Sequence, residues 1–330
     1  MKRCVCMMLA AALLLSGTAA FAQVSDFNVE LTRDGEGVVI KKYTGRAAAV
    51  TVPAAIEGFP VREIGAGAFK GSSLTAVTLP AGLTEIGDEA FKNSSLTAVT
   101  LPAGLTEIGD EAFMNSKLTS VTLPAGLTII GDRAFLGCSS LTSVVIPDSV
   151  INISRGAFQN SGLQSVTIPE GIRYISSNAF AYCGRLTTLT IPDSVTSIEM
   201  EAFKNSGLTK ITLGTGITNI GREVFSQCGL ESIVIPEGVT LIEQGAFSNC
   251  SRLTSVTLPS TIKTILPEAF RHCTALTTVT IPDSVETIFS YEVDRYTGEK
   301  SGNLNAFEGC SKLSLGSQAA LKKCGYEGKF

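Results

Sequence analysis

Apolar residues recur along this chain with a period of 22 or 23 residues. The stretch SSLTAVTLPAGLTEIGDEAF, residues 72–91, returns letter for letter as residues 94–113, and looser copies continue almost to the C-terminus. A fixed period of this length indicates a repeat architecture, in which each copy forms one unit of a continuous stack. We call one copy a rung. Its most regular marker is a phenylalanine, found at Phe69, Phe91, Phe113, Phe135, Phe158, Phe180, Phe203, Phe225, Phe247 and Phe270.

The first half of each rung predicts a β-strand. In LTAVTL, residues 74–79, the apolar Val77 and Leu79 alternate with Ala76 and Thr78, so one pair faces a core and the other faces outwards. Stacked on its neighbours, this half gives one strand per rung of a parallel sheet. The proline that follows in most copies has no N–H group and ends the strand.

The second half of each rung predicts short strands and turns that close the unit. Its apolar positions, Leu83, Ile86, Ala90 and Phe91 in the first perfect copy, point inwards. The phenylalanine rings of successive rungs are expected to stack into a spine. The fold class is therefore a repeat solenoid, with a parallel β-sheet of one strand per 22–23-residue rung and a second face of short strands and turns.

The segments outside the repeats predict a signal peptide and two end caps. Residues 1–22 combine a basic start, an apolar run and an Ala-Phe-Ala sequence, which is typical of a secretory signal peptide. Residues 23–49 hold two β-prone runs and predict a hairpin that covers the first rung. We assign the solenoid to residues 50–315, with a final strand at 313–315, and a C-terminal cap to residues 316–330. Ser317 is the predicted N-cap of a short helix there.

The period is interrupted once, by an insertion at residues 289–302 that contains two of the six tyrosines. Long loops in regular arrays often carry function, and tyrosine is frequent in protein contacts. Solenoids also tolerate insertions with little loss of stability, so a neutral insertion stays open. If the loop is functional, Tyr291, Asp294, Arg295 and Tyr296 are the predicted contacts with a protein partner.

The outward face of the strands is a second candidate surface. Its positions carry alanine, serine, threonine and valine, with a lysine at one place. Extended solenoid faces commonly serve as binding surfaces, although serine and threonine also simply suit stacked strands. The residues that we predict for partner binding on this face are Thr188, Thr190, Lys210 and Thr212.

Six cysteines share one position in the repeat, three residues after the phenylalanine, where other rungs carry serine. A position that alternates between cysteine and serine indicates a small buried site with free thiols. Cys324 lies outside this register, and a disulfide between Cys310 and Cys324 stays open. The register positions are Cys138, Cys183, Cys228, Cys250, Cys273 and Cys310.

The residues that catalysis or nucleic-acid binding would need are scarce. The single histidine, His272, falls in a variable turn, and periodic acidic pairs such as Asp88-Glu89 indicate a solvated face. The formal net charge of −4 without a basic stripe argues against nucleic acid. After the signal peptide, no apolar run has the length of a membrane span. We expect a non-enzymatic protein without a cofactor or a metal.

The repeat pattern LxxVxIPxxVxxIGxxAFxxCxxL resembles the BspA-like class of bacterial leucine-rich repeats. Residues 141–158 and 253–273 are clear matches, and the opening segment, with Asp34-Gly35 and Tyr43, is also similar to that class. The resemblance covers roughly residues 50–315. Its motif is structural, so no catalytic or binding residue can be transferred from it.

The resemblance implies a curved solenoid on an exported protein that is secreted, periplasmic or at the cell surface. Members of this class are often adhesins, which implies a protein-binding module for extracellular-matrix or other host or cell-surface proteins. The alternative is a structural spacer without a specific ligand. The oligomeric state stays open.

Overall fold

The structure is a computed structural model that describes residues 23–289, 292–293, 300–301 and 305–330. The predicted signal peptide, residues 1–22, lies outside the described residues. The chain winds into a parallel β-solenoid of about 11 turns, which confirms the predicted fold class.

The N-terminal end is an antiparallel hairpin. After a short 3-10 turn at Val24–Asp26, strand β1 (Phe27–Leu31) pairs with β2 (Val38–Tyr43). Strand β2 then runs parallel to β5 (Phe59–Ile64), and β4 (Ala55–Ile56) pairs with β5. The hairpin thereby adds two strands to the end of the solenoid.

One sheet, the front sheet, takes a three-residue strand from nearly every rung. In each strand the central side chain points inwards, as that of Val77 does, while the residues on either side are solvent-exposed except Ser255, which is half-buried. In the rung of residues 118–123, only a single bridge from Thr100 to Thr122 continues the sheet. The front strands are β3 (Ala49–Thr51), β6 (Ala76–Thr78), β8 (Ala98–Thr100), β11 (Ser143–Val145), β13 (Ser165–Thr167), β15 (Thr188–Thr190), β17 (Lys210–Thr212), β19 (Ser232–Val234), β21 (Ser255–Thr257) and β23 (Thr278–Thr280).

A second set of strands, the back sheet, takes two residues from each rung and begins at β5; its pairing is interrupted between the rungs of Ile153 and Ile175 and between those of Ile220 and Ile242. The second residue of each pair, such as Ile86, is buried. The back strands after β5 are β7 (Glu85–Ile86), β9 (Glu107–Ile108), β10 (Ile129–Ile130), β12 (Asn152–Ile153), β14 (Tyr174–Ile175), β16 (Ser197–Ile198), β18 (Asn219–Ile220), β20 (Leu241–Ile242), β22 (Thr264–Ile265) and β24 (Thr287–Ile288).

A tight turn around the phenylalanine closes each rung. The residues two before and two after it adopt the left-handed conformation, for example Glu89 with φ 55° and Asn93 with φ 56°. The turns are also bonded between rungs, since Phe69 N donates to Ala90 O at 2.8 Å. The periodic acidic residue therefore marks a turn position, and Lys92 pairs with both Glu89 and Glu111 there.

The phenylalanine rings form the predicted spine. Neighbouring rings from Phe69 to Phe307 stack with centroids 5.0–5.7 Å apart and nearly parallel planes. Tyrosines close both ends, with Tyr43 stacked on Phe69 at 5.3 Å and Tyr326 edge-on to Phe307 at 5.6 Å. Such contacts stabilise aromatic pairs by about 0.5–1.5 kcal/mol beyond the burial of their area.

The C-terminal prediction was wrong in two respects. Residues 313–315 form no strand, because helix α1 (Leu315–Lys323) begins there, with Leu315 84% exposed. The N-cap is Ser314, whose Oγ accepts a hydrogen bond from Ser317 N at 3.2 Å. Ser317 lies inside the helix, and its buried hydroxyl accepts from Val279 N at 3.3 Å. The helix thus covers the edge of β23, where a further strand was expected.

The insertion contains an antiparallel pair, β25 (Glu292–Val293) and β26 (Lys300–Ser301). Tyr291, Asp294, Arg295 and Tyr296, the contacts predicted on this loop, lie outside the described residues.

Candidate functional site

The four residues predicted on the front sheet lie side by side on two neighbouring strands. Strands β15 and β17 are parallel and in register, so Thr188 stands opposite Lys210 and Thr190 opposite Thr212. All four side chains are exposed. The repeat places them together because equal residue positions in successive rungs stack at the strand spacing of about 4.8 Å.

These strands border a groove of about 580 Å³ on the front face. It extends over three rungs, and four of its lining residues are the ones predicted from the sequence. The walls are formed by Ser165, Val166, Thr167, Ile168, Glu170, Thr188, Leu189, Thr190, Pro192, Lys210 and Thr212.

The groove lies where hydrogen bonding between neighbouring strands of the front sheet is interrupted, and we say that the ladder opens there. Among the described residues, no backbone hydrogen bond joins β13 to β15, although each pairs with its other neighbour. Residues beside the strands still bond across other breaks of this sheet, for instance Glu231 N to Thr209 O at 3.2 Å. Val166 is consequently only half-buried, whereas Leu189 in the next rung is buried.

Two opposite charges stand in the groove. Lys210 is the only charged residue at the outward positions of the front strands, and Glu170 follows Pro169 at the far end of its own strand. Both are exposed, and neither has an ion pair among the described residues. Two exposed valines flank the groove, Val145 at 72% and Val234 at 66% exposure, where the rungs between them carry threonine.

The cysteine position holds free, buried thiols, as the sequence indicated. Each Sγ donates to the carbonyl of the phenylalanine one rung earlier, as Cys228 does to Phe203 O at 3.1 Å. Burial raises the pKa of the Cys138, Cys183 and Cys228 thiols to about 11. Such thiols are poor nucleophiles and metal ligands, because the thiolate is the reactive form. Cys310 and Cys324 are both free.

Other chemical groupings are not assembled in the part of the chain that the structure describes. There, no three His, Cys, Asp or Glu side chains are arranged to hold a metal ion. His272 is exposed in a turn, with φ 57°. No helix of the described segments combines the length and apolar character needed to cross a membrane.

The sequence did not single out Glu170 as part of the site. Acidic residues also follow the proline in other rungs, for example Asp148 and Asp193, so the residue carries no local signal. Glu170 becomes distinctive only in the structure, because the ladder opens beside it. Asp193, in contrast, accepts a hydrogen bond at its Oδ1 from Thr215 N at 2.7 Å.

Several solved structures of bacterial proteins are similar to this chain, and two with a TM-score above 0.5 support the fold. A leucine-rich cell surface protein of Faecalibacterium prausnitzii is 26% identical, with 96% of this chain and 100% of that chain covered and a TM-score of 0.49. A leucine-rich repeat protein of Bacteroides ovatus is 19% identical, with coverages of 79% and 88% and a TM-score of 0.51. The pneumococcal vaccine antigen PcpA is 21% identical, with coverages of 79% and 69% and a TM-score of 0.52. No curated protein sequence matches the chain significantly.

The family comparison covers most of the solenoid. The family model described as the BspA-type leucine-rich repeat region, in 6 copies, matches residues 62–187 and 173–294. These matches span more than half of the chain and contain most of the strands and turns described above, with the phenylalanine spine from Phe69 to Phe270. The protein therefore belongs to the BspA-type leucine-rich repeat family.

Proposed function

We propose that this chain is an exported, non-enzymatic protein-binding module, adhesin-like, that binds extracellular-matrix or other host or cell-surface proteins. The groove on the front face is the observation that carries this proposal. An array of identical rungs would present a uniform face, whereas here a groove lies beside β13 and β15, which share no backbone hydrogen bond, and it is lined by a lone lysine and by a glutamate without an ion pair among the described residues.

The remainder of the front face favours contact with a protein over contact with a small molecule. Its outward residues are small and nearly uncharged across successive rungs. Protein-binding surfaces need an extended, accessible area of roughly 800 Å² per partner. Small-molecule sites instead enclose most of the ligand in a pocket that is mostly apolar. The groove is open and lined largely by threonine and serine, so it suits one part of a larger contact.

The insertion at residues 289–302 supplies a second surface in this proposal. It departs from the repeat, and its tyrosines are residue types that favour protein contacts. Tyr291, Asp294, Arg295 and Tyr296 remain predicted contacts. Export rests on the predicted signal peptide, residues 1–22, and remains part of the proposal.

Solid-phase binding tests the function directly. The chain from residue 23 to 330 is applied to immobilised fibronectin, fibrinogen, laminin and collagen, with albumin as the control surface. We expect saturable binding to at least one matrix protein. A variant that lacks residues 290–301 separates the insertion from the front face, and its thermal unfolding shows whether the solenoid is intact.

The results distinguish a protein-binding module from a structural spacer. Binding that disappears with the insertion assigns recognition to the loop, and binding that persists assigns it to the solenoid. If the intact chain binds none of these proteins above albumin, the host-protein proposal is wrong. A structural spacer without a specific ligand would then describe the protein better. The two identical rungs favour this alternative, because neither carries a residue that the other lacks.

A further inference from the structure

The two charged residues of the groove determine which charges a bound ligand should carry, and at which side. Lys210 lies at the start of its strand, and Glu170 lies beyond the end of a strand two rungs earlier. An exposed charge without a partner is stabilised when a ligand brings the opposite charge. The groove is therefore complementary to an occupant with a negative group at one side and a positive group at the other.

We infer that this groove binds an extended segment of a protein partner, with an acidic side chain against Lys210 and a basic side chain against Glu170. The inference rests on the proposed protein-binding function and specifies the chemistry of its partner. Small uncharged residues between the two charges match the threonine and serine walls, which leave no deep pocket for a large side chain.

The spacing of the rungs sets the length of the segment. Val145 and Val234 occupy equal positions four rungs apart, which is about 19 Å at the spacing between strands. Six steps of extended chain cover about 20 Å. Because side chains alternate in an extended chain, residues separated by an even number point to the same side. Apolar residues at positions one and seven of a heptapeptide can therefore contact the two exposed valines.

The same periodicity places the charges. Along the stack alone, Lys210 lies three rungs from Val145, about 14 Å, and Glu170 lies one rung from it, about 5 Å. Across the stack, Lys210 and Glu170 lie on opposite sides of the line that joins the two valines. Positions five and three of the heptapeptide are about 13 Å and 7 Å from position one, and both share its side of the chain. The sequence VSKSDSV has this pattern.

The interruption between β13 and β15 distinguishes these rungs from the two identical rungs. No backbone hydrogen bond joins β13 to β15, whereas β6 and β8 are paired throughout. A segment that extends along the stack crosses the strands at about a right angle, so its recognition rests on side-chain contacts and not on strand pairing.

Fluorescence polarisation with the labelled peptide VSKSDSV tests the inference on the chain from residue 23 to 330. The comparison peptides are VSSSDSV, VSKSSSV and VSSSSSV. The protein variants are Lys210→Ser, which installs the residue type of neighbouring rungs, and Glu170→Gln. Lys312→Ser, at an exposed lysine far from the groove, is the matched control.

We expect saturable binding of VSKSDSV with a dissociation constant below about 1 mM. Lys210→Ser should weaken it about three- to tenfold, and the same variant should not change the affinity for VSKSSSV. This double-mutant cycle isolates the contact between the lysine and the acidic residue. Glu170→Gln should show the corresponding coupling with VSSSDSV. Lys312→Ser should leave every affinity unchanged.

The inference is overturned if VSKSDSV does not saturate, or if the loss with Lys210→Ser is the same for peptides with and without the aspartate. These outcomes are separable from the proposed function. A chain that binds a matrix protein, with Lys210→Ser binding it equally well, contradicts the groove inference and leaves the function standing. A chain that shows the peptide coupling but binds no matrix protein contradicts the host-protein function alone.

Discussion

The two identical rungs, residues 72–113, and the groove rungs, residues 163–212, have the same interior and different front faces. The ring centroids of Phe91 and Phe113 are 5.2 Å apart, and those of Phe180 and Phe203 are 5.6 Å apart. On the front sheet the identical rungs are paired in register, whereas β13 and β15 share no backbone hydrogen bond. The spine therefore sustains the solenoid even where one of its ladders opens.

The back sheet differs between the same two regions. Glu85 and Glu107 of the identical rungs stack in register with Glu63 of the rung before them, as a column of like charges. The corresponding strands of the groove rungs carry Tyr174 and Ser197, which are uncharged. The identical rungs repeat their charges in register, whereas the back strands of the groove rungs carry no such column.

The largest effect should be the same in both regions. Replacing Phe180 or Phe91 with alanine removes a fully buried ring and should destabilise the fold by about 3–5 kcal/mol. Thermal and urea unfolding measure the loss, with Thr190→Ala on the exposed face as the control. A much smaller loss at Phe180 would show that the spine is weakened beside the groove and that the interiors of the two regions differ.

A smaller effect should distinguish the regions. A Cβ added at Gly216 would lie 2.1 Å from Asp193 O, whereas one added at Gly104 would meet nothing closer than Leu83 O at 3.5 Å. Gly216→Ala should destabilise the protein by about 1–3 kcal/mol because the backbone must move. Gly104→Ala should stay within about 0.5 kcal/mol of the wild type. Equal urea midpoints for the two variants would contradict this difference in packing.

The smallest effect concerns the glutamate column. Burial, followed by repulsion from Glu63 and Glu107, raises the pKa of Glu85 above its ordinary value of 4.5. A raised carboxyl pKa means that ionisation is less favourable in the folded state. The free energy of unfolding therefore falls as the pH rises from about 4.5 through the raised pKa.

Glu85→Gln should accordingly raise the melting temperature at pH 7 by a small amount, and the gain should disappear as the pH falls towards 4. Ser197→Gln, at the matching position in the uncharged groove region, should give no such pH-dependent gain. A pH-independent effect of Glu85→Gln would mean that packing, and not charge, decides the change.

Much of the fold was predictable because the same spacing of apolar residues recurs in every rung. The inward positions, the phenylalanine spine, the buried cysteine site and the front strand of nearly every rung all follow from the period. The C-terminal end was predicted wrongly because it occurs once. Residues 313–315 resemble a strand locally, but α1 covers the edge of β23 and Ser317 bonds to the backbone of Val279. Ser314 then becomes the cap.

The candidate site was predictable only in part. Thr188, Thr190, Lys210 and Thr212 were assigned to one face from strand alternation, and the structure places them along one groove. Glu170 was not identified, because its position relative to Lys210 depends on how two rungs stack. The turn role of Glu89 was also missed, since a glutamate in the left-handed conformation has no distinctive sequence pattern.

The sequence alone determined the solenoid, its period and the residues that form its interior. Burial of apolar positions at a fixed spacing is a local rule that every rung obeys, so it can be read from the chain. The place where pairing between front strands is interrupted, and the charges that line the groove there, depend on the tertiary structure. Those features depend on small differences in how neighbouring rungs stack, and hydrogen bonds between rungs more than 20 residues apart are not encoded in either rung by itself.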